Sequence, residues 1–228
     1  MRESVWNKGT QKYTLRALNW NADGLKGAIN AMPQNIFEGT DVCTLTETFV
    51  TIPGFYNIHV YAKKEARGRP IGGIACLQSL QMAPFKLTHY LTVVKTKCCT
   101  IISAYFNPDH SALDIMHYFA LSPNKMGRNE RILPSGDFNC KVDKPDRKTK
   151  QVLGFLTEEG HTLANDKRMK TYLCHNGATA VDITLTRGLG KLHQKQLWKT
   201  DVALIQKHVP IMTILKIQAR KSSDQGQR

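Results

Sequence analysis

Nine short runs rich in β-branched and aromatic residues set the main limit on how this chain can fold. They span 13–20, 41–46, 54–62, 72–79, 90–95, 98–106, 131–135, 179–186 and 209–217, and Gly, Pro, Asn or Asp bounds each one. Helical patterning is scarcer. "SALDIMHYFALS" opens on a capping Ser111, and "TKQVLGFLTEEG" runs from near Thr149 to a stop at Gly160. A further short helical stretch is expected by "DGLKGAINAM", ahead of the 41–46 run. Many strands with few intervening helices predict a four-layer α/β sandwich: two packed mixed β-sheets flanked by helices.

The 228 residues read as one domain, or at most two small ones. A chain of this size buries roughly 70–75% of the surface its unfolded form exposes, so the core needs no metal or disulfide staple. The expected boundaries are a lead-in over 1–12, the domain over 13–217, and a polar basic tail over 218–228. Lys and Arg number 32 against 18 acids, a formal charge of +14. Such a field attracts polyanions, and nucleic acid is the default partner. No run approaches the ~18 apolar residues a membrane helix needs, so no membrane partner is expected. The six cysteines show no C-x-x-C spacing, and in apolar strand-like contexts they read as small hydrophobes. The expectation is a soluble protein of a reducing compartment.

Polar residues with chemical potential fall at the ends of the runs. Asn21 and Asp23 follow the first in "NWNADGL", Glu47 ends the second in "TLTETF", and Tyr105 closes "IISAYFNP". Asp137 and Asn139 end "PSGDFN", Asp182 lies in "TAVDITL", and His208 precedes the last run in "QKHVP". Strand ends held by a rigid sheet are common places for α/β proteins to build sites. Carboxylates with Asn, Tyr and His beside them suit a hard, oxygen-loving metal and a phosphate. "DFNCK" is not a calcium loop, because Lys141 and Val142 stand where that loop needs a ligand and a glycine. "GRPIGG" lacks a nucleotide-binding pattern. Trp20 and Trp198 read as core. His59, His89, His110, His117, His161, His175 and His193 read as core or surface histidines. Basic clusters at 63–70 (Lys63, Lys64, Arg67, Arg69) and 144–150 (Lys144, Arg147, Lys148, Lys150) lie beside strand ends, where they could contact backbone phosphates.

"WNADGL", "LTET", "SAYFNP", "SGDFN", "AVDITL" and a final His before an apolar strand occur in an order that resembles the endonuclease/exonuclease/phosphatase superfamily, with its DNase I-like fold. The resemblance covers roughly 13–217. It is nearest the AP-endonuclease-like nicking domains of non-LTR (LINE-type) retrotransposons, given "TAVD" followed by Trp198 and the His. It implies a Mg²⁺-dependent endonuclease acting on double-stranded DNA, with Mn²⁺ as a substitute. Glu47 would be the principal metal ligand and Asp23 a second or water-bridged one. Asp137 would deprotonate the attacking water, with Asn139 and Asn21 holding that carboxylate and the phosphate. His208, positioned by Asp182, would stabilise the charged transition state, and Tyr105 would donate to a phosphate oxygen or assist the leaving group. The implied location is intracellular and nuclear. The polymerase part of a retroelement is a partner by the same resemblance. None follows in this chain, so an isolated domain or truncated copy is expected.

Two departures qualify the resemblance. The superfamily carries "SD" before its histidine, whereas 206–208 read Gln206, Lys207 and His208. A lysine beside a cation site weakens metal binding by Coulomb repulsion; Asp201 in "WKTDVAL" is the alternative acid. The segment after Tyr105 reads "FNP", with no asparagine in the register of AP endonucleases, which argues against abasic-site repair. Two rival readings follow: a catalytically impaired DNA-binding remnant, or a phosphatase of the same fold. The sequence leaves the target site, strand preference and oligomeric state open.

Overall fold

The computed structural model describes residues 12–24, 39–48, 58–60, 74–78, 84–86, 88, 90–96, 98–120, 130–166, 168–189, 192–196 and 207–218. Its strands are β1 (Lys12–Asn21), β2 (Val42–Thr46), β3 (Ile58–Val60), β4 (Ile74–Gln78), β5 (Pro84–Lys86), β6 (Leu91–Lys95) and β7 (Thr100–Tyr105). They continue with β8 (Ile132–Asp137), β9 (Thr162–Leu163), β10 (Tyr172–Cys174), β11 (Gly177–Thr179), β12 (Asp182–Thr186), β13 (Leu192–Gln196) and β14 (Ile211–Gln218). Two helices, α1 (Ala112–Ala120) and α2 (Arg147–Glu158), complete the described elements.

The strands form two six-stranded sheets, β13-β14-β1-β2-β4-β3 and β5-β6-β7-β8-β12-β9, and a separate β10-β11 hairpin. Both large sheets are mixed: β1 runs parallel to β2 and β7 to β8, and every other pair is antiparallel. The first sheet lies against one face of the second, through a core that includes Leu15, Ala17, Val42, Ile101, Leu133 and Leu215. The other face of the second sheet is covered by α1 and α2, through Ile102, Ala104, Ile115, Phe119, Val152 and Leu156. Strands β7 and β8 therefore have apolar neighbours on both faces and are buried along their whole length. That double cover explains why "CCTIISAYF" reads as a continuous apolar run and not as alternation. The expected α/β sandwich of two mixed sheets is present. The helical stretch of "DGLKGAINAM", the basic cluster at 63–70, Trp198 and Asp201 lie outside the described residues.

Some boundaries differ from expectation. Helix α2 begins at Arg147, because the Asp146 carboxylate accepts from the Thr149 backbone N–H at 2.7 Å and caps it. Arg147, Lys148 and Lys150 thus stand on a helical turn, and the basic segment 144–150 is only partly a loop. At α1, Ser111 and Asp114 exchange bonds: the Asp114 N–H donates to Ser111 Oγ (3.2 Å) and the Ser111 N–H to Asp114 Oδ2 (2.8 Å). The expected strand over 179–186 splits. Thr179 ends β11, and β12 starts at Asp182.

Candidate active site

Register brings the catalytic candidates together. In the second sheet Tyr105 pairs with Asp137, and Asp137 with Asp182, so three neighbouring strands present polar residues at one level. In the first sheet, Asn21 ends β1 beside Thr46, and Glu47 follows β2. The two turns are tied together: the Ala22 N–H donates to the Thr46 carbonyl and the Gly24 N–H to the Glu47 carbonyl, each at 2.9 Å. Asp23 (φ 39°), Glu47 (φ 52°) and Asn139 (φ 48°) all adopt left-handed backbone. Non-glycine residues rarely take that conformation, and it concentrates at functional turns.

Asp137 is buried and doubly held. Its Oδ2 accepts from the Asn21 amide at 2.8 Å and its Oδ1 from the Asn139 backbone N–H at 2.8 Å. Asn139 is fixed in turn by donating its own amide to the Phe106 carbonyl at 2.8 Å. Burial, then repulsion from Asp182, pushes the Asp137 carboxyl up to about 7, against the opposing pull of His208 and the two donors. The His208 Nδ1 lies 2.9 Å from Asp182 Oδ2, and Nε2 faces Asp137 Oδ2 at 3.8 Å. Burial works against the imidazolium, but Asp182, Asp137 and Glu47 outweigh it and raise His208 to about 9. The second oxygen of Asp182 is buried with no hydrogen-bond partner among the described residues. A charged imidazole beside that carboxylate offsets the cost of its burial.

His208 is also anchored through its backbone. Its carbonyl accepts from Trp20 Nε1 at 3.1 Å, and its ring meets Tyr172 edge-on at 4.8 Å. On the opposite side of the site, the Tyr105 hydroxyl donates to Glu47 Oε1 at 2.5 Å. Burial and Glu47 raise the phenol well above its ordinary range, so this hydroxyl remains a donor.

These groups floor a cleft of about 520 Å³ lined by Asp23, Glu47, Tyr105, Asp137, Asn139 and His208 on one side and by the β10-β11 hairpin on the other. Lys141, Lys144 and Lys207 also line it. All eight expected catalytic and metal-binding residues therefore converge. The basic candidates divide. Lys144 lines the cleft, Lys148 donates to the Pro108 carbonyl at 3.1 Å, and Arg147 and Lys150 are exposed on α2 away from the lining. Lys63, Lys64, Arg67 and Arg69 lie outside the described residues.

The donor set is compatible with a hard divalent cation. Glu47 and Asp23 offer carboxylate oxygens from two linked turns at the cleft, the ligand type and number that Mg²⁺ usually takes from protein. Asp23 also faces Lys207, with Nζ 3.7 Å from Oδ2. A second constellation, Asp137, Asp182 and His208, places its ligating atoms within 4.8 Å of one another. There Asp137 already accepts two hydrogen bonds, from Asn21 and Asn139, and His208 Nδ1 is engaged by Asp182.

The sequence reading missed the hairpin, Lys141, and two tethers that hold the site. Asp143 accepts from Lys170 Nζ (2.6 Å), Thr179 Oγ1 (2.7 Å) and the Ala180 N–H (3.0 Å), pinning the hairpin to the loop after Asn139. Thr171 is fully buried, and its Oγ1 accepts from the N–H groups of Val181 (3.1 Å) and Asp182 (3.0 Å). The Asn176-Gly177 dipeptide is a hairpin signal in the sequence, although the loop residues are His175 and Asn176 and Gly177 already pairs with Cys174.

No family profile and no curated protein matches the chain. Solved structures do. The endonuclease domain of TRAS1, a telomere-specific non-LTR retrotransposon, superposes with a TM-score of 0.67 at 18% identity, covering 89% of this chain and 98% of that one. An AP endonuclease from Archaeoglobus fulgidus superposes with a TM-score of 0.68 at 12% identity, covering 89% of this chain and all of that one. The fold is thus the DNase I-like α/β sandwich, matched along nearly its whole length.

Proposed function

We propose that this protein is a divalent-metal-dependent endonuclease that hydrolyses phosphodiester bonds of double-stranded DNA. The observation that carries the reading is Asp137, a buried carboxylate held by Asn21 and Asn139 and facing His208 across 3.8 Å. A base held near pH 7 has the proton affinity that water activation requires at neutral pH. Asp137 takes the proton of the attacking water. His208, kept cationic by Asp182, supplies a fixed positive charge where negative charge develops on the phosphate. Tyr105 donates its one hydroxyl proton to Glu47 and so orients that carboxylate. Glu47 and Asp23 would hold Mg²⁺ or Mn²⁺, which supplies further charge to the reacting phosphate when bound. Lys144 and Lys141 guide the backbone into the cleft and carry no sequence information. A nuclear site of action accompanies a chromosomal substrate, and a retroelement polymerase is the proposed partner.

One observation favours a second reading, an impaired DNA-binding remnant. Lys207 occupies part of the charge of Asp23 and opposes a cation there. Nicking of supercoiled plasmid in Mg²⁺ separates the two. Wild-type nicking that disappears in Asp137→Ala supports the endonuclease. A closed plasmid with wild type and Lys207→Asp alike, together with retained DNA binding, supports the remnant.

A further inference from the structure

The backbone of Lys207 is tethered on both sides, while its side chain stands largely exposed in the cleft. The Lys207 carbonyl accepts from the Leu173 N–H at 2.7 Å, the next residue bridges to Tyr172, and the Val209 N–H donates to the Thr171 carbonyl at 2.8 Å. The side chain itself is 60% exposed and lines the cleft beside His208. Its contact with Asp23, at 3.7 Å and open to solvent, is the kind of ion pair that contributes little and exchanges readily. The cleft around it is acidic at the floor, where Asp23, Glu47 and Asp137 face any incoming phosphate. A phosphate entering without a metal ion meets those three carboxylates, and of the lysines that line the cleft, Lys141, Lys144 and Lys207, it is Lys207 that stands against Asp23.

We propose that Lys207 is a phosphate-binding residue: its ammonium leaves Asp23 for an oxygen of the DNA phosphate at the centre of the cleft, so that the protein engages that phosphate without a metal ion. This rests on the reading of the cleft as a phosphodiester site. An ammonium on a four-carbon stem suits the exchange, because it acts as a mobile point charge and needs no fixed fork geometry. The metal and the ammonium then compete for Asp23.

The test is equilibrium binding of a short DNA duplex in chelator, read by fluorescence anisotropy across a salt series, for wild type, Lys207→Met, Lys207→Arg and Lys95→Met. Lys95 lies at the far end of the second sheet, paired with Glu130, and controls for loss of net charge alone. Loss of one phosphate contact lowers the salt slope by roughly 0.9. The expected result is that fall in Lys207→Met, with affinity about three- to tenfold weaker at low salt, restoration in Lys207→Arg, and no change in Lys95→Met. An unchanged slope in Lys207→Met, or an equal fall in Lys95→Met, overturns the assignment. Calorimetric titration of the DNA-free protein with Mg²⁺ gives an independent readout, and Lys207→Met should bind the metal more tightly. The two readings fail separately. Slope loss without nicking in any divalent metal overturns the endonuclease and supports the phosphate contact; nicking with an unchanged slope overturns the phosphate contact alone.

Discussion

The Asn21 amide donates to Asp137 Oδ2 at 2.8 Å, and this bond joins the last residue of a strand in one sheet to the last residue of a strand in the other. The site is therefore a seam between sheets, and its alignment depends on how the two pack. Removing one partner leaves a buried carboxylate short of a donor, which costs about 1.5–3 kcal/mol for a charged group. Asn21→Ala should cut the single-turnover nicking rate by about 10- to 100-fold with a smaller effect on DNA affinity. Asn21→Asp should be worse, since it sets a second carboxylate against Asp137. Quench-flow rates beside binding isotherms check both.

The His208–Asp182 pair predicts a distinct pH signature. His208 is raised from its ordinary value to about 9, so its stabilising contribution is fully present below about 6.5 and fades as pH rises through 9. Asp137 is raised to about 7, so the folded state holds that proton longer, and stability falls as pH climbs from about 4 through 7. A base that must be free and a cation that must be charged give a bell-shaped rate profile with limbs near 7 and 9, belonging to the coupled set of groups. NMR titration of the His208 ring protons should show a midpoint well above 6.5. The midpoint should fall in Asp182→Asn, which removes the charge and keeps the shape. An unshifted histidine in the wild type counts against the ion pair.

Seven of the eight converging residues were legible at or just past the ends of apolar runs, whereas Asp182 lay inside the expected run 179–186 and begins a strand only in the structure. The roles expected of them come from the resemblance, and the register adds that Tyr105, Asp137 and Asp182 stand opposite one another. What was not legible has physical causes. Strand β13 reads "LHQKQ", with no alternation to identify it, and β5 and β9 are too short to carry a period. Lys148 looks like a solvated loop lysine in the sequence, yet it stands on a capped helix and donates to Pro108. Lys207 stood out as a departure, but its pairing with Asp23 arises only when the ends of the chain meet across the first sheet.

Gly136 precedes the proposed base and has φ 154°. A Cβ built there would lie 1.8 Å from the Ala104 carbonyl oxygen on the neighbouring parallel strand. No side-chain rotation relieves a clash with backbone, so β7 and β8 would have to separate beside Tyr105 and Asp137. Gly136→Ala should destabilise the fold by about 3 kcal/mol or more and remove activity at temperatures where the protein remains folded. Thermal unfolding and nicking measured on the same preparation check this. A variant of normal stability would mean that the two strands are less closely packed here.

Thr171 supports both members of the His–Asp pair through their backbone. Its hydroxyl oxygen accepts from the N–H of Asp182 at 3.0 Å, and its carbonyl accepts from the N–H of Val209, the residue after His208, at 2.8 Å. Thr171→Val keeps the shape and leaves the carbonyl in place, but removes the acceptor of the N–H groups of Val181 and Asp182, at about 1–3 kcal/mol for each. A purely structural role would lower stability and leave the chemistry of the surviving folded protein alone. A positioning role predicts more: a falling limb of the rate profile displaced toward lower pH, because the imidazolium and its carboxylate separate. Thr171→Ser restores the acceptor and should recover both the limb and most of the stability. If Thr171→Val loses stability while its pH profile overlays the wild type, the hydroxyl supports the fold and not the alignment of His208.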